Sequence, residues 1–203
     1  MTEILLVGNP NSGKTTLFNS LTRSNEHVGN WHGVTVDTKS KTFSSDGEEY
    51  SLIDTPGIYS LCPLSFEEEV AVDTIFKSDR KIINICDQNN LQRNLYLTLC
   101  LLEKGCDVVL AVNEIDKRPI YKIDYKKLGD LLGIPVVGIN AEKKIGLENL
   151  KKTLKTNQKP KKMPYFKDLD VNLLSKNNLQ NDFYNLIKLY EQDEKYFKMV
   201  GFN

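Results

Sequence analysis

The stretch Gly8-Asn9-Pro10-Asn11-Ser12-Gly13-Lys14-Thr15 decides the reading of this chain. It fits G-x-x-x-x-G-K-[ST], the spacing of a loop that cradles phosphates. Ile4 to Val7, just ahead of it, is short and wholly apolar, as a buried parallel strand is. Just behind it, Leu17, Phe18 and Leu21 recur at helical spacing. The sequence therefore predicts strand, loop and helix in that order. Glycines let backbone N–H groups turn inward on a phosphate without a Cβ in the way. The helix start adds partial positive charge. Lys14 supplies a point charge for the outer phosphates, and Thr15 offers a hydroxyl to Mg²⁺.

Downstream, the chain alternates. Val36 to Phe43 and Tyr50 to Ile53 flank a turn containing Asp46-Gly47, which predicts an antiparallel hairpin. Its second strand runs into Asp54-Thr55-Pro56-Gly57, where an Asp at a strand end can hold Mg²⁺ and a glycine N–H can approach a γ-phosphate. A helix with Glu67, Glu68 and Glu69 in its first turn is expected before Phe76. Ile82 to Cys86 reads as a strand, and Asp87 to Asn90 as the cap of a helix from Leu91 to Glu103. Val108 to Val112 and Ile134 to Ile139 read as further strands, with helices over Tyr125 to Leu132 and Leu147 to Leu154. This is an α/β pattern: a P-loop NTPase of the Ras-like G-domain type. Its sheet is mostly parallel, with one antiparallel hairpin strand and helices on both faces.

Ligands of such sheets lie beyond the carboxyl ends of the strands. Gly8 to Thr15, Asp54, Asn113, Asp116 and Asn140 all fall at such ends. Gly33, Val34 and Thr35, in an aperiodic loop after the first helix, occupy the place of a first switch, with Thr35 as the candidate γ-phosphate and Mg²⁺ sensor and Thr38 as its competitor for the role. Asn113 and Asp116 bear on the base. Guanine presents adjacent N1–H and N2–H donors that one carboxylate accepts together, so Asp116 would select guanine over adenine. Asn113 would brace the loop. Gly57 is followed by Ile58, which can neither orient nor deprotonate water, so slow intrinsic hydrolysis of the γ-phosphate is expected.

Composition bounds the alternatives. The 203 residues are 40% hydrophobic and 27% charged with zero formal net charge, so no overall field argues for nucleic acid. No apolar run reaches the ~20 residues of a membrane helix. Met-Thr-Glu leads directly into a strand, so no signal peptide is expected. The four cysteines lack metal spacing, and Cys86 and Cys100, which sit in apolar runs, read as small buried hydrophobes in a reducing cytoplasm. Residues 1–158 are expected to form the G domain. Residues 159–203 are expected to form a linker and helical appendage whose apolar face is Phe183, Leu186, Ile187, Tyr190 and Phe197.

The motifs together resemble the cytoplasmic GTPase domain of the ferrous iron transport protein B (FeoB) family. The carriers are Gly8 to Asn19, including Thr16, then Gly29-Asn30-Trp31-His32-Gly33-Val34-Thr35-Val36, then Asp54 to Leu61. Asn90-Leu91-Gln92-Arg93-Asn94-Leu95-Tyr96-Leu97-Thr98 is the most telling, because a GTP site does not need this helix. The resemblance implies GTP and GDP binding through these loops, with Thr55, Pro56, Asn140, Ala141 and Glu142 completing the pocket. It implies Mg²⁺ on Thr15, Thr35 and Asp54, and K⁺ on Asn11. Asn11, Lys14, Thr35 and Gly57 would then be the catalytic set. It further implies coupling to Fe²⁺ uptake through a transmembrane domain, a place at the cytoplasmic face of the inner membrane, and a pairing of G domains as partner. Two positions depart from the usual GTPase pattern. Glu114 stands where Lys is usual, which predicts weaker guanine-nucleotide binding. Asn140 stands where Ser is usual, so rigidity of that loop does not carry over from the resemblance. The competing readings are a stand-alone regulatory switch and a GTPase of RNA or ribosome metabolism, the latter disfavoured by the neutral charge.

Overall fold

The computed structural model describes residues 1–22, 39–114, 122–155, 183–193 and 198. Strand β1 (Thr2–Gly8) leads into helix α1 (Lys14–Leu21); β2 (Lys39–Ser45) and β3 (Glu48–Asp54) follow, then α2 (Phe66–Phe76) and β4 (Lys81–Asp87). A 3-10 turn (Gln88–Asn90) opens α3 (Leu91–Glu103). Strand β5 (Val108–Asn113), α4 (Tyr125–Leu132), β6 (Val136–Ile139), α5 (Leu147–Thr153) and α6 (Phe183–Glu191) complete the described elements.

The six strands form one sheet in the order β2-β3-β1-β4-β5-β6. Its pairs are parallel except the β2–β3 hairpin. The expected fold class is thus the observed one. Alternation along β1 sends Ile4 and Leu6 to one face and Leu5 and Val7 to the other, and all four are buried. α1 and α5 cover the first face through Leu17, Phe18, Leu147 and Leu150. α2, α3 and α4 cover the second through Val72, Ile75, Leu97, Leu101 and Leu132.

Local chemistry sets the helix starts. Ser65 Oγ accepts from Glu68 N–H at 3.3 Å, and the Glu68 carboxylate takes the Leu64 N–H at 2.7 Å. Asp124 caps α4 through Lys127 N–H, and Gly133 closes it in the left-handed conformation. Some boundaries differ from expectation. β6 begins at Val136 rather than Ile134, because Pro135 precedes it and lacks an N–H for the ladder. Asp87 does not cap α3 directly; it caps the intervening 3-10 turn by accepting from Asn89 N–H at 3.0 Å.

The apolar face expected for the tail needs correction. Leu186 is buried as expected, but Tyr190 is exposed, whereas Tyr184, Asn185 and Lys188 are also buried among the described side chains of α6; that of Phe183 lies outside them. Tyr184 joins the core under α2 and α3 and meets the Phe76 ring edge-on, with centroids 6.1 Å apart. Lys188 is buried because Glu191 and Asp193 accept from its ammonium at 2.6 and 3.1 Å. Phe197 and the boundary near residue 158 lie outside the described residues.

Candidate functional site

The register of the sheet brings the loop-bearing strand ends together. Leu6 pairs with Asp54, Gly8 with Ile85, Asp87 with Asn113, and Asn113 with Ile139. Gly8 closes β1 where a Cβ would stand 2.7 Å from the Ile85 carbonyl oxygen, so only glycine fits without displacing backbone. Gly13 caps α1 at φ +91°, and a Cβ there would meet the Asn113 amide nitrogen at 2.2 Å. Asn11 adopts the left-handed conformation at φ 65° and is exposed, as are Pro10, Thr15 and Thr16. Asn9 and Ser12 are buried. Among the described residues, neither polar atom of the Asn9 amide nor the Ser12 hydroxyl has a hydrogen-bond partner.

The Lys14 ammonium, at the helix start, is ion-paired with the Asp54 carboxylate, at the end of β3. Both side chains are largely shielded, 13% and 15% exposed, so the pair sits at the mouth of the loop rather than in bulk water. The Asp54-Thr55-Pro56-Gly57 turn then follows the loop closely. Thr55 donates to the Leu6 carbonyl through its hydroxyl at 2.9 Å and its N–H at 3.2 Å. Ile58 N–H donates to the Gly8 carbonyl at 3.1 Å. Gly57 lies against Pro10, where a Cβ would contact the proline at 3.2 Å. Ile58 itself is fully buried in the core, so the residue after Gly57 does not face the loop at all.

Asn113 connects two loops. Its Nδ2 donates to the Ser12 carbonyl at 3.1 Å, and its Oδ1 accepts from Ala141 N–H at 3.0 Å. Ser20 of α1 adds a bond to the Ala141 carbonyl at 2.7 Å. The Asn140 loop is well tied despite the departure from Ser. The Asn140 amide donates to the Glu114 carbonyl at 2.8 Å and accepts from Lys143 N–H at 2.8 Å, while its backbone exchanges two bonds with Ile145. Glu142, next to buried Ala141, is exposed.

The structure thus brings together Gly8 to Thr16, Asp54 to Gly57, Asn113, Asn140 and Ala141. Gly33, Val34, Thr35 and Asp116 lie outside the described residues. Ser20 and Asn84 are structural members of the site that no motif marks. Asn84 is buried in β4, donates to the Val7 carbonyl at 3.3 Å and accepts from Thr98 at 2.6 Å. Both act by tertiary contact, which spacing along the chain does not encode. Chemically, the arrangement offers the loop backbone, the Lys14 ammonium, and the hydroxyl of Thr15 and carboxylate of Asp54 at one end of the sheet.

Comparison with known proteins agrees with this geometry. Residues 2–154 match the family model described as Ferrous iron transport protein B. The Fe(2+) transporter FeoB proteins of Salmonella typhimurium and Escherichia coli K12 are each 44% identical over 153 residues, 72% of this chain. The chain spans 20% of the length of those relatives. Among solved structures, the cytosolic domain of T. maritima FeoB in apo form superposes with a TM-score of 0.83 at 36% identity, covering 99% of this chain and 86% of that one. A GDP-bound S. thermophilus NFeoB mutant gives 0.80 at 40% identity, covering 96% and 81%. From the loop, the strand-end register and these matches together, the chain belongs to the ferrous iron transport protein B family.

Proposed function

We propose that this chain is the GTP-binding and GTP-hydrolysing cytoplasmic domain of a FeoB-type ferrous iron transporter, its residues 1–158 forming the G domain. The Lys14–Asp54 pair, set where the P-loop and the Asp-Thr-Pro-Gly turn converge, is the observation that carries this reading. In this reading the ammonium would serve the outer phosphates and the acidic oxygen their counter-ion. A related S. thermophilus structure was solved with GDP, which supports guanine as the base. In this reading Asp116 selects that base, and Thr35 senses the γ-phosphate.

The donor set fits the expected cations. Hydroxyl and carboxylate oxygens of Thr15, Thr35 and Asp54 suit Mg²⁺. The exposed Asn11 amide oxygen suits K⁺. When bound, these cations offset negative charge on the phosphate oxygens. The chain's own residues then have defined tasks. The loop amides and Lys14 orient the phosphates, and Gly57, packed on Pro10 of the loop, offers its N–H to the γ-phosphate. Because Ile58 is buried, no side chain at that place orients water, which supports slow intrinsic turnover; stimulation by K⁺ is a further part of the proposal. Nucleotide state would regulate Fe²⁺ uptake by a transmembrane partner domain, with pairing of G domains a further element of the proposal.

Calorimetry with Mg²⁺ and K⁺ tests the base and the loop together. GTP and GDP are expected to bind, and ATP to bind at least tenfold more weakly, ~1.4 kcal/mol. Phosphate release is expected to be faster in K⁺ than in Na⁺. Equal binding of ATP, or rates indifferent to K⁺, would overturn the corresponding part.

A further inference from the structure

Asn90 to Thr98 distinguish this sequence from other GTPases, yet nucleotide binding gives them no task. In the structure they tie helix α3 to the site from behind. Asn94 Oδ1 accepts from Asp87 N–H at 2.9 Å. Thr98 donates to Asn84, which donates to the Val7 carbonyl, one residue ahead of Gly8. Arg93 reaches further, onto the turn itself. Its guanidinium carbon lies 4.8 Å from the centroid of the Tyr59 ring.

Tyr59 occupies a weak point of that turn. Upstream, Thr55 and Ile58 are bonded to the Leu6 and Gly8 carbonyls, and Ile58 is buried. Downstream, Cys62 N–H donates to Ser60 Oγ at 3.1 Å, and Leu61 is buried. Between them Tyr59 is 41% exposed, so core burial does not hold it. A guanidinium over the face of a tyrosine is attracted by the ring's quadrupole within about 6 Å. Arg93 supplies that hold, and among the described residues no carboxylate is paired with it.

We infer that Arg93 is a positioning residue for the phosphate-facing turn, acting through the ring of Tyr59 to keep Gly57 and Ile58 against the P-loop. The inference rests on the GTPase reading for its kinetic consequence, but not for its structural one. Variants Arg93→Ala, Tyr59→Leu, Tyr59→Phe and the Arg93→Ala/Tyr59→Leu double of the 203-residue chain test it with two readouts: amide exchange over residues 57–62 without nucleotide, and steady-state GTP hydrolysis. Arg93→Ala and Tyr59→Leu are each expected to speed exchange there. Each should also lower kcat roughly two- to fivefold with KM unchanged, the scale of an exposed cation–π contact. The double variant should match either single one, and Tyr59→Phe, which keeps the ring, should behave as wild type. Unchanged exchange in Arg93→Ala, additive losses in the double variant, or a rise in kcat would each overturn the assignment. A wild-type chain that neither binds nor hydrolyses GTP would sink the functional reading alone, and the exchange comparison would still decide the clamp.

Discussion

Asn113 shows how much one side chain can hold. It is 3% exposed and satisfies two backbone groups from distant segments, the Ser12 carbonyl and the Ala141 N–H. Replacing it with Ala leaves a buried N–H and a buried carbonyl without partners, each costing about 1–3 kcal/mol. Asn113→Asp keeps the acceptor for Ala141 but sets a carboxylate against the Ser12 carbonyl. Both variants should therefore lose stability in urea titration, by roughly 2–4 kcal/mol, with Asp no better than Ala. A loss under ~0.5 kcal/mol in either would contradict this account. The bracing role is legible in the sequence, since an Asn at the end of an apolar strand has few other uses. Its partners are not, being 101 and 28 residues away. Asn140 is the converse. A departure from the usual Ser suggests a looser loop, but the longer amide spans from the Glu114 carbonyl to the Lys143 N–H and fixes it.

Elements are where the sequence speaks most clearly. Apolar runs of four to six residues separated by helical periods give the sheet. The hairpin follows from Asp46-Gly47, where both residues take positive φ. Misreadings fall where polar residues decide. Asp87 ends β4 but caps a 3-10 turn, accepting from Asn89 N–H and from the Asn90 amide at 2.6 Å, before α3 begins. Asp87→Ala should cost about 1–2 kcal/mol through loss of that cap. Asp87→Asn, which can still accept from Asn89, should cost less than half as much. Urea midpoints at constant slope would check the order, and equal losses would show that accepting from Asn89 N–H is not what Asp87 contributes. The α6 face departs from expectation for a related reason. A helical wheel counts apolar residues, whereas Lys188 is buried here with its charge neutralised by Glu191 and Asp193, and Tyr190 is left in solvent.

At the scale of the molecule, the docking of α6 makes stability depend on pH. Its acidic end faces Glu103, the last residue of α3. Burial first, and the nearby Glu191 charge second, push the Glu103 carboxyl up to about 7, with Lys188 opposing the rise. Burial disfavours the Lys188 ammonium, but hydrogen bonds to Glu191 and Asp193 outweigh it and hold that group above the usual lysine range, outside the window at issue. A carboxyl whose folded pKa exceeds its unfolded one binds more protons in the native state. Its contribution is therefore complete below about pH 4.5 and lost as pH climbs through about 7. Glu103→Gln fixes the neutral form. Its Tm should exceed that of wild type by about 2 °C at pH 8, after discounting the penalty for solvent screening of a partly exposed group. Below pH 5 the two curves should converge. Scanning calorimetry from pH 4.5 to 8.5 checks both the gap and its closure. A Gln variant whose Tm runs parallel to wild type across that range would mean that Glu103 ionises without cost, and that α6 docks against α3 independently of its charge.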